Sequence, residues 1–333
     1  MKSNNYKEMK KAELHLHLDG SLRISTVREL AISEGILDES ITLSAVEKLL
    51  EVDEGTKSLV DYLKKFDLPV MVMQTRENIG RVAFELVEDL AKENYIYAEI
   101  RFAPHLHTDK GLELTEVVEA VLSGVKQGEQ KYGVKIGVIL CMMRHLPVSK
   151  GLEIVELADE YRSSGVVGID LAGNESFSPL LFKESFDLAK AKKIKFTIHA
   201  GESMGPKSVA DALNMGASRI GHGIRSIEDL SVVDRLVKEG VALEICPTSN
   251  WQTQVYPDFS KYPLKELIEK GVTISLNTDN RKVSDNDLVE EIELIMDKFG
   301  VTEDEVKEMI KNSIIKSFLS DDEKVKLLYS FEI

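Results

Sequence analysis

Eight short strand-like runs, separated by longer amphipathic stretches, limit what this chain can fold into. The runs are "ELHLHL" (13–18), "YAEIRFA" (97–103), "KIGVILCM" (135–142), "VVGIDLAG" (166–173), "KFTIHAG" (195–201), "RIGHGI" (219–224), "ALEICP" (242–247) and "TISLNTD" (273–279). Between them lie helical patterns such as "ENIGRVAFELVEDLAKEN" and "LTEVVEAVLSGVKQGEQKYG", several of which end in Gly or Asn, where helices commonly stop. Strands alternating with helices call for parallel crossovers, and eight of them predict an α/β fold closed as a (β/α)8 TIM-type barrel. An open doubly wound sheet is the competing architecture. No repeat, low-complexity tract or linker divides the chain, and 333 residues with 43% hydrophobic content fit one barrel domain over 1–333 with an insertion.

The insertion falls in the first crossover. About 80 residues separate the first two runs, far more than one helix needs. Within it Leu59, Tyr62, Leu63 and Phe66 follow an i, i+3, i+4, i+7 pattern, one apolar helical face. The stretch at about 40–75 reads either as an extra helix on the outside of the barrel or as a helical lid over its mouth, where βα connections emerge.

Polar residues then collect where the runs end. His15, His17 and Asp19 close the first, Asp170 and Gly173 the fourth, His199 and Glu202 the fifth, His222 the sixth, and Asp279 and Asn280 the eighth. Residues at i and i+2 of a strand share a face, so His15 and His17 stand side by side, opposite Leu14, Leu16 and Leu18. Alone, that pair is either part of a metal site or two hydrogen-bonded polar residues in a barrel interior. In a barrel all these strand ends meet on the face that carries active sites. "GESMG" (201–205) also matches a nucleophile elbow around Ser203. That reading needs an acid and then a histidine downstream, and no histidine follows His222.

Imidazole and carboxylate form a common zinc ligand set, and a catalytic site leaves one position for water, whose pKa the metal lowers. His15, His17, His199 and Asp279 are the candidate ligands. Glu202, beside His199, suits a general acid if a water-poor pocket raises its pKa, and His222 is left to orient or deprotonate the water. These parts describe metal-assisted hydrolysis without naming the bond. The net charge of −15 argues against a nucleic-acid partner, which needs a basic surface. No apolar run is long enough to span a membrane, and "MKSNNYKEMKKAELH" lacks the apolar region of a secretory signal. Cys141 and Cys246 lie in apolar runs and cannot make a four-cysteine zinc site; with no signal segment, the expected location is cytoplasmic. The sequence carries no signal for an oligomeric state.

"ELHLHLDGSLR", "GIDLAGNE", "TIHAGES", "GHGI" and "SLNTDN", in this order, closely resemble the adenosine deaminase family of the amidohydrolase superfamily. The similarity runs from about residue 10 to about residue 320. The resemblance implies a zinc barrel that converts adenosine, and usually 2′-deoxyadenosine, to inosine and ammonia. It implies that His15, His17, His199 and Asp279 hold the zinc, that Glu202 protonates purine N1, and that His222 and Asp279 guide the attack. On the substrate side it implies His17, Asp19 toward a ribose hydroxyl, and Gly173 through its backbone to purine N3. The apolar lid has a counterpart in the family. Relatives with two metals use a bridging lysine at the end of strand four; "GIDLAGNE" has none, which implies one Zn2+ per chain. Nucleic-acid base deaminases hold zinc with a PCxxC motif that is absent here.

Many members read TDDP where this chain reads "TDNR" (278–281). The second Asp contacts purine N7, an acceptor, and must be protonated to donate. An Asn280 amide donates in its neutral state. The same scaffold also suits free adenine or a modified adenine nucleoside as substrate, and a metal-binding but inactive relative would be expected to have lost Glu202.

Overall fold

The computed structural model describes residues 3–53, 56, 58–256 and 258–332. All eight runs form strands: β1 (Lys11–His17), β2 (Tyr95–Phe102), β3 (Lys135–Met143), β4 (Val166–Ala172), β5 (Thr197–Ala200), β6 (Arg219–His222), β7 (Ala242–Ile245) and β8 (Ile274–Leu276). Every pairing between sequential strands is parallel, in two ladders, β1-β2-β3-β4 and β5-β6-β7-β8. Parallel bridges Ile169–Phe196 and Leu16–Asp279 join the ladders at both seams. The sheet is therefore closed, and the open alternative is excluded.

The β8–β1 seam is made by residues that also face the barrel mouth. The His17 N–H donates to the Asp279 carbonyl (2.8 Å), and the Asp279 N–H donates to the His15 carbonyl (3.0 Å). Below them the Asn277 side-chain oxygen accepts from the Leu14 and His15 N–H groups at 2.8 and 3.1 Å, doing with a side chain what a strand backbone does elsewhere.

Outside the sheet, Leu14 and Leu16 of β1 and Leu18 just after it are fully buried with the apolar faces of the surrounding helices, and this core is continuous around the barrel. Inside, the usual branched apolar filling is replaced by charge. Arg101, Glu99, Asp170, Arg219 and Glu244 are all essentially inaccessible to solvent and bond to one another across the barrel.

The long first crossover contains the helices Ile24–Ser33, Leu43–Leu50, Leu59–Leu63, Asp67–Val72 and Arg76–Lys92, with a 3-10 turn at Lys64–Phe66. Leu59, Tyr62, Leu63 and Phe66 face the cavity at the C-terminal ends of the strands.

The helix Arg76–Lys92 lies unusually close to Leu114–Tyr132 because glycines form the contact. A Cβ on Gly124 would fall 2.1 Å from the Gly80 carbonyl oxygen, and one on Gly128 would fall 2.6 Å from Val87 Cβ. The obstacle at Gly124 is backbone, so only separation of the helices relieves it. Gly124→Ala is expected to destabilise the fold by about 1–3 kcal/mol, outweighing the ~1 kcal/mol gain in helix propensity. Ser123→Ala, exposed on the same helix, should leave the melting temperature within a degree or two ( roughly ±0.5 kcal/mol). Thermal denaturation of the two variants side by side checks this.

Candidate metal and substrate site

Three imidazoles and one carboxylate meet at the mouth. The ligand-capable nitrogens of His15, His17 and His199 lie within 4.8 Å of one another. His15 Nε2 and His17 Nε2 are 3.3 Å apart, and Asp279 Oδ1 stands 3.4 Å from the first and 3.3 Å from the second. Three nitrogens and an oxygen crowded this closely, with two of the imidazoles deeply buried, suit a divalent cation better than one another. The donor set therefore fits zinc.

The remaining nitrogens explain the orientation. His15 Nδ1 is 2.9 Å from Glu244 Oε2, and His199 Nδ1 is 2.9 Å from Asp170 Oδ2. A carboxylate on Nδ1 keeps the proton there and leaves Nε2 as the free lone pair. Arg101 bonds both carboxylates, Nη1 to Asp170 (2.9 Å) and Nη2 to Glu244 (2.8 Å). Burial works against ionisation of Glu244, yet the guanidiniums of Arg101 and Arg219 hold it well below the usual carboxylate range.

Cys246 also approaches this cluster, together with His15, His222 and Asp279. Burial pushes its thiol up, and the sulfur donates weakly to the Glu244 carbonyl at 3.5 Å.

Glu202 and His222 adjoin the cluster, with Glu202 Oε2 3.7 Å from His222 Nε2. Burial, then the charges of Asp279 and Glu175, raise the Glu202 carboxyl well above its ordinary value. Burial here favours the protonated carboxyl. Its loop is held by Glu175, which accepts from the Glu202 and Met204 N–H groups at 3.1 and 2.7 Å and from the Ser208 hydroxyl at 3.0 Å. Ser203 contacts this same carboxylate at 3.4 Å rather than a histidine, as its failure as a nucleophile requires.

The site opens into a cavity of about 550 Å3. Asp19, Gly173 and Asn280 line it with His17, His199, Glu202, His222 and Asp279. Asp19 is buried with Oδ1 lacking a protein partner, and burial pushes its carboxyl up to about 7. Gly173 has a left-handed backbone (φ +94°) that brings its peptide to the cavity wall. Asn280 Nδ2 donates to the Tyr62 hydroxyl (2.9 Å), which in turn contacts Ser284 Oγ (2.6 Å). The amide read from sequence as a free donor is thus half engaged by the helical insertion, and one N–H remains.

The candidate site residues read from the sequence lie in this region, but several that organise it escaped notice there. Glu244, Arg101, Asn277, Glu175 and Asn250 were not singled out, and Asp170 only marked a strand end. The available signal was a charge set inside an apolar strand, as in "YAEIRFA" and "ALEICP".

The adenosine deaminase family model matches residues 10–332. An adenosine deaminase from Enterococcus faecalis is 42% identical over 332 residues, 98% of this chain and 97% of the relative. Among solved structures, an adenine deaminase from Arthrobacter aurescens superposes with a TM-score of 0.88 at 27% identity, covering 97% of this chain and 98% of that one. The N6-methyl-AMP deaminase from Arabidopsis thaliana gives 0.87 at 29%, covering 99% and 98%. With its five motifs gathered around one cavity and this likeness along its length, the chain belongs to the adenosine deaminase family.

Proposed function

We propose that the protein is a zinc-dependent adenosine deaminase that hydrolyses adenosine and 2′-deoxyadenosine to inosine, or 2′-deoxyinosine, and ammonia in cytoplasmic purine salvage. The observation that carries this reading is the convergence of His15, His17, His199 and Asp279, with Glu202 and His222 beside them, at the floor of one cavity. The four ligands would hold one Zn2+ per chain, since the end of β4 offers Asp170 and Gly173 and no lysine. Zinc supplies the Lewis acidity that makes water a nucleophile near neutral pH.

The protein's own groups then act in order. The protonated Glu202 donates to purine N1 and makes C6 electrophilic. His222 and Asp279 hold the attacking oxygen against C6, which becomes tetrahedral. Transfer of a proton to the 6-amino group releases ammonia, so one water is consumed for each amine lost. The Gly173 peptide meets N3, the free N–H of Asn280 meets N7, and Asp19 with His17 meets the ribose. We read 1–333 as one barrel domain whose helical segment at about 40–75 covers the substrate; Leu59, Tyr62, Leu63 and Phe66 form its apolar underside. Closure of such a cover excludes water and strengthens the polar contacts beneath it.

Adenine or a modified adenine nucleoside on the same scaffold is the alternative. Asp19 favours a ribose-bearing substrate, because its buried oxygen would stay unpaired against a bare base. No lysine or arginine lines the cavity among the described residues, which disfavours a phosphorylated nucleoside.

Incubation with adenosine, 2′-deoxyadenosine and adenine, followed by ultraviolet absorption with and without chelator, tests the reading. Chelator-sensitive turnover of the two nucleosides is expected; zinc-loaded protein inert on every aminopurine would overturn it. Glu202→Gln should bind zinc normally yet lose nearly all turnover, and loss of zinc as well would put Glu202 among the ligands. Asn280→Leu should cost far more kcat/KM for adenosine than Asn280→Asp; equal, negligible effects would mean that position 280 does not read the base. Asp170→Asn, which loosens His199, should weaken zinc about 10–100-fold in chelator competition.

A further inference from the structure

His222 differs from its neighbours in what holds it. His15 and His199 present Nδ1 to carboxylates, whereas His222 Nδ1 lies 3.1 Å from the side-chain nitrogen of Asn250. Asn250 is fully buried in the helix Pro247–Gln252, which follows β7. Its side-chain oxygen accepts from the Tyr262 hydroxyl at 2.8 Å.

That second bond fixes the direction of the first. A phenol hydroxyl has one proton, and Asn250 is the one hydrogen-bond partner of the Tyr262 hydroxyl among the described residues. Turning the amide over would aim NH2 at Tyr262 and strand the phenol proton in a buried site, a cost that hydrogen-bonded interiors avoid. Tyr262 cannot easily move, because its ring packs against Tyr256, Phe259 and Phe299 with centroids 5.1–5.6 Å apart. The Asn250 carbonyl, which accepts from the Val255 and Tyr256 N–H groups at 3.0 and 3.3 Å, anchors the other end. With the amide so held, its NH2 meets Nδ1, and Nδ1 must be the acceptor.

We propose that Asn250 is a positioning residue that holds His222 as the tautomer carrying its proton on Nε2. The ring then offers an N–H to the cavity, on the side where Glu202 Oε2 lies 3.7 Å away. A neutral ring in this form orients an oxygen by donating to it and has no Nε2 lone pair with which to take a proton from water. Of the two roles open to His222, orientation is the one this geometry allows. The assignment of the tautomer stands on geometry alone, while its catalytic consequence rests on the function proposed above.

The test uses zinc-loaded protein carrying 15N-histidine, with the His222 signals identified by their absence from His222→Gln. In the wild type, Nδ1 should show the shift of an unprotonated nitrogen and Nε2 that of a protonated one. Asn250→Asp keeps the shape and the bond from Tyr262 but replaces a donor by an acceptor. It should move the proton onto Nδ1 and lower kcat on adenosine on the order of 10²-fold, with KM changed less than about threefold ( binding and chemistry separate in this way). A protonated, N–H-bearing Nδ1 with a bare Nε2 in the wild type would overturn the proposal, as would Asn250→Asp that folds with Nδ1 unprotonated or with kcat unchanged. If Asn250→Asp does not fold, the wild-type spectrum alone decides. A wild type with the expected tautomer and no turnover of any aminopurine would sink the function and leave the tautomer standing.

Discussion

The site depends on a guanidinium at the centre of the barrel. Arg101 is inaccessible to solvent and divides its donors between Asp170, Glu244 and the Leu14 carbonyl, the last at 2.5 Å. Burying such ions costs free energy that their mutual attraction only partly offsets, so stability is a poor explanation for them. Orientation is a better one. The carboxylate oxygen that accepts from Arg101, Asp170 Oδ2 in one case and Glu244 Oε2 in the other, also meets an imidazole Nδ1, and both Nε2 atoms are thereby turned toward the cluster. Arg219 extends the arrangement downward, from Glu244 to Glu99, with its guanidinium stacked 3.7 Å above the Phe318 ring. The charge that orients these two imidazoles is thus anchored at the opposite end of the barrel, by a residue that follows the helix Glu303–Ile315.

Above this frame the rim is made of backbone that departs from strand geometry. His222 and Asp279 both have left-handed φ, +58° and +63°. Side chains other than glycine enter that region at a cost of about 1–3 kcal/mol, and such residues concentrate where function requires them. The reason here is geometric. Both residues follow or end a strand of only a few residues, and a continued strand would send alternate side chains away from the mouth. The turn lets Asp279 seal the β8–β1 seam with its backbone while its carboxylate faces His15 and His17.

These facts separate what was legible in the sequence from what was not. The eight strands and the inward-facing histidines follow from period-two patterning, which is local. The candidate ligands followed from their places at strand ends, given a barrel. The second layer was illegible for a physical reason: its bonds run across the barrel between distant segments, Arg101 to Asp170 over 69 positions and to Glu244 over 143. No pattern within one strand states which strand lies opposite. Asn250 was hidden differently, since an amide in "CPTSN" is indistinguishable from a turn residue until Tyr262 shows which way it points. The β5 and β6 strands also end before their apolar runs do, because Gly201 and His222 take left-handed φ there.

The insertion and the segment after β8 share one bond. Tyr62 lies on the apolar face that lines the cavity, yet its hydroxyl bridges Asn280 and Ser284 in the segment after β8. Gly20 makes room for this: a Cβ there would fall 2.1 Å from Asn280 Oδ1. The amide is hemmed by backbone on one side and by Tyr62 on the other, so its remaining N–H has little freedom of direction. A carboxylate at this position would accept from Tyr62 and present a second acceptor to the cavity, whereas the amide joins the cover and still donates. The neutral amide at position 280 thus donates to Tyr62 and keeps a second N–H, which an ionised carboxylate cannot do.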